Sequence, residues 1–204
     1  QNEWMWSVFE DSQGQIWAGS ISGLSKLKDD KFVNVDLPGS GTYDDSRFTN
    51  QWVRDFIEVK GELWIATAGL GVCIYNGKDF RFINTDNGLC DNDLSCLMKD
   101  SKGNIWIATR FGGVCKYDGM NFITYDIENG IGNNESIIVY EDKASNIWFS
   151  SEGFGLYRHN GDQLTNFSLE KVEDFHVMNE IVLDRGPSPY SVQLDIYFDG
   201  NKMT

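Results

Sequence analysis

The sequence predicts an all-β chain: a small β-propeller of four-stranded antiparallel blades, about 42 residues per blade, with four clear blades and a degenerate fifth. Three observations predict it. Trp17, Trp64, Trp106 and Trp148 recur in matching surroundings at steps of 47, 42 and 42 residues. Asn-Gly and Asp-Gly pairs separate β-rich runs, and a type I′ hairpin turn needs positive φ at both central residues. Finally, 21 glycines stand against 3 prolines, and aromatic residues make up 14% of the chain, as expected where tight turns link strands and flat side chains fill the space between sheets.

The elements follow in order within each repeat. An apolar run (SVFE, VRDFI, SCLMK or IIVYE) opens the unit as a first strand, and an acidic residue stands six places before each tryptophan: Asp11, Glu58, Asp100 and Asp142. The second strand carries the tryptophan in GQIWAGS (14–20), GELWIAT (61–67), GNIWIAT (103–109) and SNIWFSS (145–151). A glycine-bearing turn leads to a third strand, GLSKL, GVCIY, GVCKY or GLYRH. Asn76-Gly77, Asp118-Gly119 and Asn160-Gly161, with Asp29-Asp30 in the first unit, then turn the chain into the fourth strand, KFVNV, DFRFI, NFITY or QLTNF. One such meander cannot bury both its faces alone, so units are expected to stack face to face, with the four tryptophans as inter-blade packing. The blades fall near 4–36, 51–84, 93–126, 135–167 and 178–204 within one domain, 1–204. The fifth is degenerate: Asp184 lies 42 residues beyond Asp142 and FDGNKM resembles YDGMNF, but the unit lacks a tryptophan and sets Pro187 and Pro189 where the tryptophan strand belongs.

Charge narrows the partners. Seventeen basic and 31 acidic residues give a formal charge of −14, which repels phosphate backbones and anionic membranes, so nucleic acid is not an expected partner. No apolar stretch is long enough for a membrane span, and the chain reads as a mature, processed protein or a trimmed piece. Cys73 and Cys115 occupy equivalent places in neighbouring units and are not expected to pair; Cys90 and Cys96 lie within reach of each other, or serve as small buried hydrophobes.

The pattern of an acidic residue, a Gly-Asn turn, Ile-Trp-Ile-Ala-Thr, a Gly-Gly turn and Tyr-Asp-Gly, clearest in DSKGNIWIATRFGGVCKYDGMNF at 100–122, resembles the two-component regulator propeller repeat. That resemblance covers residues 7–167 and implies a periplasmic or secreted bacterial sensor domain that recognises carbohydrate breakdown products or another small polar ligand. It supplies no cofactor.

Propeller ligands are expected where the loops joining fourth to first strands meet those joining second to third. The first inter-blade loop, LPGSGTYDDSRFTN at 37–50, is longer than its counterparts and carries Tyr43, Asp44, Arg47 and Phe48, suited to stacking on a sugar and hydrogen-bonding its hydroxyls. Arg110, Phe111, Glu152 and Phe154 vary between blades whose flanking residues repeat, and join the candidate ligand site. Trp4, Trp6 and Trp52 read as packing or chain-end cover. No catalytic or metal site is expected: the two histidines, His159 and His176, lack ligand spacing, and the aspartate turns read as caps rather than calcium loops. The competing readings are a protein-interaction or assembly propeller, including a homo-oligomer completed across open blade edges or part of a larger chain, and a streptogramin-lyase-like enzyme.

Overall fold

The computed structural model describes residues 4–39 and 52–167, together with the short strands at 182–185, 192–195, 197–198 and 201–202. The chain divides into two compact units, Gln1–Ser168 and Leu169–Thr204.

The first unit holds four four-stranded antiparallel sheets, each a meander in chain order. They are β1 to β4 (Met5–Glu10, Ile16–Ser20, Gly23–Lys28, Lys31–Val35), β5 to β8 (Val53–Val59, Glu62–Thr67, Val72–Tyr75, Phe80–Ile83), β9 to β12 (Leu94–Lys99, Ile105–Thr109, Val114–Tyr117, Phe122–Tyr125) and β13 to β16 (Val139–Glu141, Ile147–Ser151, Gly155–His159, Leu164–Phe167). These are the expected blades. The hairpin glycines Gly77, Gly119 and Gly161 have φ between 93° and 104°, where an L side chain is strained.

Register sets equivalent positions from blade to blade. The tryptophans pair with Phe9, Ile57, Met98 and Tyr140 of the first strands. The first three face the following blade. Trp17 joins Val53, Phe56, Ile65 and Cys73 in one cluster, Trp64 joins Leu94, Leu97, Ile107 and Cys115 in the next, and Trp106 joins Val139, Phe149 and Tyr157 in the third. Burying an indole at each junction is worth on the order of 4 kcal/mol before entropy is counted.

In three blades the acidic residue six places before the tryptophan is bonded to it. Asp11, Asp100 and Asp142 accept the indole N–H of Trp17, Trp106 and Trp148 at 2.8, 2.9 and 2.8 Å. Glu58 is the exception: it pairs with Leu63, at the position of Glu10, Lys99 and Glu141 rather than of Asp100. Blade 2 turns through two residues only, Lys60 (φ 54°) and Gly61 (φ 77°), which removes the place the aspartate would take. The buried Trp64 Nε1 has no hydrogen-bond partner among the described residues. Glu58 instead reaches the preceding blade, accepting from Ser12 N and Oγ at 2.6 Å each, as Glu141 accepts from Ser101 N and Oγ at 2.7 and 2.6 Å.

The cysteine expectation needs correction. Cys90 is disulfide-bonded to Cys115, and Cys73 and Cys96 are free. Cys90 packs with the cluster between blades 2 and 3, whereas Cys96 packs with the one between blades 3 and 4, so the two lie on opposite flanks of the third blade. Burial pushes the Cys73 thiol up to about 12.

The second unit contains two two-stranded antiparallel ladders, β17 (Val182–Arg185) with β18 (Val192–Asp195) and β19 (Tyr197–Phe198) with β20 (Asn201–Lys202). The fifth blade expected at 178–204 falls mostly outside the described residues.

Candidate functional site

Each blade has two ends. The loops between first and second strands gather at one, the cap end. At the other, the loop end, the residue leading into the first strand meets the turn between second and third strands.

That meeting is a repeated backbone bond. Ile21, Ala68, Arg110 and Glu152 donate their N–H groups to the carbonyls of Trp4, Trp52, Asp93 and Glu135 at 3.1, 2.9, 2.9 and 2.9 Å. A hydroxyl fixes the turn beside it: Thr67 Oγ1 donates to Gly71 O at 2.7 Å and Thr109 Oγ1 to Gly113 O at 2.8 Å. Gly71 and Gly113 have φ of 78° and 82°, and a Cβ there would collide with the Ile83 or Tyr125 carbonyl, so the turn closes only on glycine.

On this common backbone the side chains differ, and they form a row across the blades. Trp4 and Trp6 lie edge to face at 6.4 Å, and Trp6 lies 6.3 Å from Trp52 of the next blade. The Arg54 guanidinium sits over Trp52 at 5.8 Å and pairs with Asp93 of blade 3 at 2.8 Å. Arg110 covers Phe111 at 5.3 Å and approaches Glu135 of blade 4 at 3.8 Å. Asp91 accepts from Phe111 N at 2.9 Å, holding the turn so that the ring stays 63% exposed. Phe154 is also exposed, standing against Gly132, where a Cβ would collide with its ring.

Two carboxylates of the row, Asp93 and Glu152, sit above their ordinary range. Burial pushes Asp93 up against the pull of Arg54 and Arg110. Glu152 is raised by a hydrogen bond to Glu135 and by that residue's charge. Behind the row, burial raises Asp55 although it accepts N–H bonds from Leu97 and Phe56. The row therefore offers open aromatic faces, guanidinium donors and carboxylate acceptors side by side. Among the described residues it presents no nucleophile with an adjacent base.

Of the expected site residues, Arg110, Phe111, Glu152 and Phe154 all lie at the loop end, and Glu135 links Arg110 to Glu152. Tyr43, Asp44, Arg47 and Phe48 lie outside the described residues. The structure adds Arg54, Asp93 and Glu135 to the row, beside Trp4, Trp6 and Trp52, which the sequence read as packing or chain-end cover. The signal was present: the repeat position held by Trp4 and Trp52 in blades 1 and 2 is held by the acids Asp93 and Glu135 in blades 3 and 4.

The cap end behaves oppositely. Asp100 Oδ1 accepts from Lys102 N at 3.0 Å and Asn104 N at 2.7 Å, and Oδ2 from Asn104 Nδ2 and Trp106 Nε1. Asp142 repeats the pattern. Burial raises both groups, but these donors together outweigh it and hold both below the usual carboxylate range. The aspartate turns are caps, with the carboxylate committed to N–H donors. His159 accepts from Gly161 N at Nδ1 (3.2 Å) and meets Tyr125 Oη at Nε2 (3.3 Å), and burial lowers its pKa. His176 lies outside the described residues.

The two-component regulator propeller family matches residues 1–22 and 88–111. Among solved structures, the extracellular domain assigned to hybrid two-component system BT3049 of B. thetaiotaomicron is 25% identical, with a TM-score of 0.64 over 79% of this chain and 22% of its own. That of BT4673 from the same organism is 18% identical, with a TM-score of 0.68 over 94% and 27%. The chain thus spans about a quarter of the length of these sensors. A catalytically inactive H270A virginiamycin B lyase from Staphylococcus aureus is 15% identical, with a TM-score of 0.62 over 84% and 58%, a likeness of fold alone. A stretch of 36 residues, 18% of this chain, is 47% identical to NAD(+) kinase of Saccharomyces cerevisiae, covering 7% of that enzyme.

Proposed function

We propose that this chain, whose blades are two-component regulator propeller repeats, is a non-catalytic recognition module of an extracytoplasmic sensor, binding a carbohydrate or another small polar ligand at its loop end. The observation that carries this reading is the row from Trp4 to Glu152, in which one repeated backbone bond presents tryptophans in blades 1 and 2 and charged pairs in blades 3 and 4. Aromatic faces beside guanidinium and carboxylate groups suit a ring with an apolar face and hydroxyl edges. The match to two-component regulator repeats and the likeness to extracellular sensor domains support the compartment and the signalling role. Among the described residues no helix is long and apolar enough to cross a membrane. Isothermal titration of the full chain against a panel of plant and host oligosaccharides tests the reading. Binding that weakens at least about tenfold in Arg110→Ala supports it. Silence across the panel by folded protein contradicts the carbohydrate ligand.

A second reading concerns 169–204. That unit is 36 residues long, the length of the stretch similar to NAD(+) kinase. It has no tryptophan, sets Pro187 and Pro189 in the span where a blade carries its tryptophan strand, and pairs its strands two by two. These features support a segment of separate lineage joined to four blades, too small a part of the kinase to be assigned its reaction. Limited proteolysis of the full chain followed by thermal unfolding tests this. Cleavage near residue 168 that leaves the blade transition unchanged supports it, and cleavage there that unfolds the blades identifies a fifth blade instead.

A further inference from the structure

The three junctions between blades are built alike except at one corner of the cap end. The residue that pairs with Leu63 and Phe80 in blade 2 is Tyr75, the one that pairs with Ile105 and Phe122 in blade 3 is Tyr117, and the one that pairs with Ile147 and Leu164 in blade 4 is His159. Each packs on the tryptophan of the preceding blade, at 5.8 Å on Trp17, 6.2 Å on Trp64 and 5.9 Å on Trp106. The two tyrosines fill their corners: they stack on Phe80 and Phe122 at 4.6 and 4.7 Å and donate their hydroxyls to Gly77 O and Gly119 O. Blade 4 has a smaller ring there, beside a leucine in place of the phenylalanine. A cavity of about 100 Å³ opens at this junction, between Lys102, Trp106 and Lys116 of blade 3 and Ser145 and His159 of blade 4. One water needs only about 10–15 Å³, so a group of several heavy atoms fits.

The charged groups around the cavity differ in what they are bonded to. Asp100 and Glu141 also line it, but both are committed: Asp100 accepts from Lys102 N, Asn104 N and Nδ2 and Trp106 Nε1, and Glu141 from Ser101 N and Oγ. The ammonium groups are not. Among the described residues ion pairs join Arg54 to Asp93, Lys78 to Asp79, Arg81 to Glu62 and Arg110 to Glu135, and neither Lys102 nor Lys116 takes part in one. Lys116 Nζ stands 5.7 Å over the Trp106 ring. Burial holds the His159 pKa low, and the charges of Lys116 and Lys102 lower it further against the pull of Asp162, so both ammonium groups lie close enough to act on the ring. No other blade carries this pair of lysines. At the place of Lys116, Trp17, Trp64 and Trp148 pair with Lys26, Ile74 and Arg158, and the turn position of Lys102 holds Gln13 in blade 1 and Ala144 in blade 4.

We infer that this cavity binds a small oxyanion of the phosphate or sulfate type, held by the ammonium groups of Lys102 and Lys116 with the Ser145 hydroxyl as a third donor. Two unpaired ammonium groups repel a metal cation, and the committed carboxylates leave little to accept from a ligand that only donates. An oxyanion takes both ammonium groups in charge-assisted bonds. The site lies at the cap end and does not depend on the loop-end row.

Thermal unfolding of the full chain in inorganic phosphate, in sulfate, and in sodium chloride at matched ionic strength tests this. The midpoint is expected to rise with phosphate or sulfate beyond the chloride control. His159→Tyr, which installs the residue of blades 2 and 3, is expected to fold with a midpoint at or above the parent's and to lose the oxyanion-specific rise. Lys102→Gln and Lys116→Gln each weaken phosphate binding at least about fivefold, since each removes one charge-assisted bond. In the parent chain the imidazole NMR titration of His159 is expected to move to higher pH when phosphate saturates, because the added negative charge offsets the two lysines. A phosphate and sulfate response no larger than that of chloride overturns the inference. So does a full response in His159→Tyr or in both lysine variants, or a His159 titration that phosphate leaves in place.

Discussion

The two ends of these blades share one backbone plan and fill it by opposite rules. At the cap end, Asp11, Asp100 and Asp142 hold the tryptophan indoles with the same bond in three of the four blades. At the loop end the backbone bond repeats in all four blades, while the residues making it run from Trp4 and Ile21 through Trp52 and Ala68 to charged pairs in blades 3 and 4. The electrostatics divide in the same way. Asp100 and Asp142 at the cap end are pulled below their ordinary range by donors, and Asp93 and Glu152 at the loop end are pushed above it. A repeated side chain thus marks what a blade needs in order to fold. A repeated backbone with changing side chains marks a scaffold on which something else is presented.

The sharpest way to break this comparison is to remove an indole from each end. Trp106→Ala, 2% exposed at a junction, is expected to cost about 3–5 kcal/mol in denaturant unfolding, and Trp4→Ala, 65% exposed, to stay within about 0.5 kcal/mol. Equal losses would erase the distinction. Next, Asp100→Ala orphans a buried indole N–H and two backbone donors and is expected to cost about 2–3 kcal/mol, whereas Glu152→Ala is expected to leave the unfolding midpoint unchanged.

Blade 2 supplies an internal control for the cap. Trp64 has no partner for its N–H among the described residues, so Trp64→Phe is expected to lose about 1.5 kcal/mol less stability than Trp106→Phe, which abandons a bond to a carboxylate. The pH dependence separates the ends by sign. Because Asp100 and Asp142 are lowered from 3.8 in the folded chain, their stabilisation is complete above that value and is lost as pH falls through their folded values. Asp93 is raised from 3.8, so the folded chain binds its proton more tightly and its contribution declines as pH rises from there through its folded value. Acid unfolding of Asp100→Asn/Asp142→Asn is therefore expected to show a flatter limb below pH 3.8 than the parent chain. The smallest effect concerns Glu152: Glu135→Gln removes the neighbouring charge, and carboxyl NMR titration is expected to find Glu152 shifted down toward 4.5.

The blades were legible because their requirements repeat. Four tryptophans in register, and Gly77, Gly119 and Gly161 at positive φ, leave few arrangements other than stacked meanders. Glu58 shows where counting positions fails: a two-residue hairpin shortened blade 2 by one residue and moved the acid one place along the ladder. Cys90 depended on which flank of blade 3 each loop follows, and spacing carries no information about flanks. At the loop end, Arg110 and Glu152 stood out by departing from the repeat, yet Glu135, which joins them, lies in a loop whose register only the backbone bonds reveal.

Thermal unfolding of the full chain carrying Trp4→Ala, Arg110→Ala and Glu152→Ala together, with and without the oligosaccharide that titrates the parent, addresses the division between the ends most directly. The account predicts a midpoint within about 2–4 °C of the parent and no further rise on adding the sugar. A much lower midpoint without sugar, or a ligand-induced rise equal to the parent's, would contradict it.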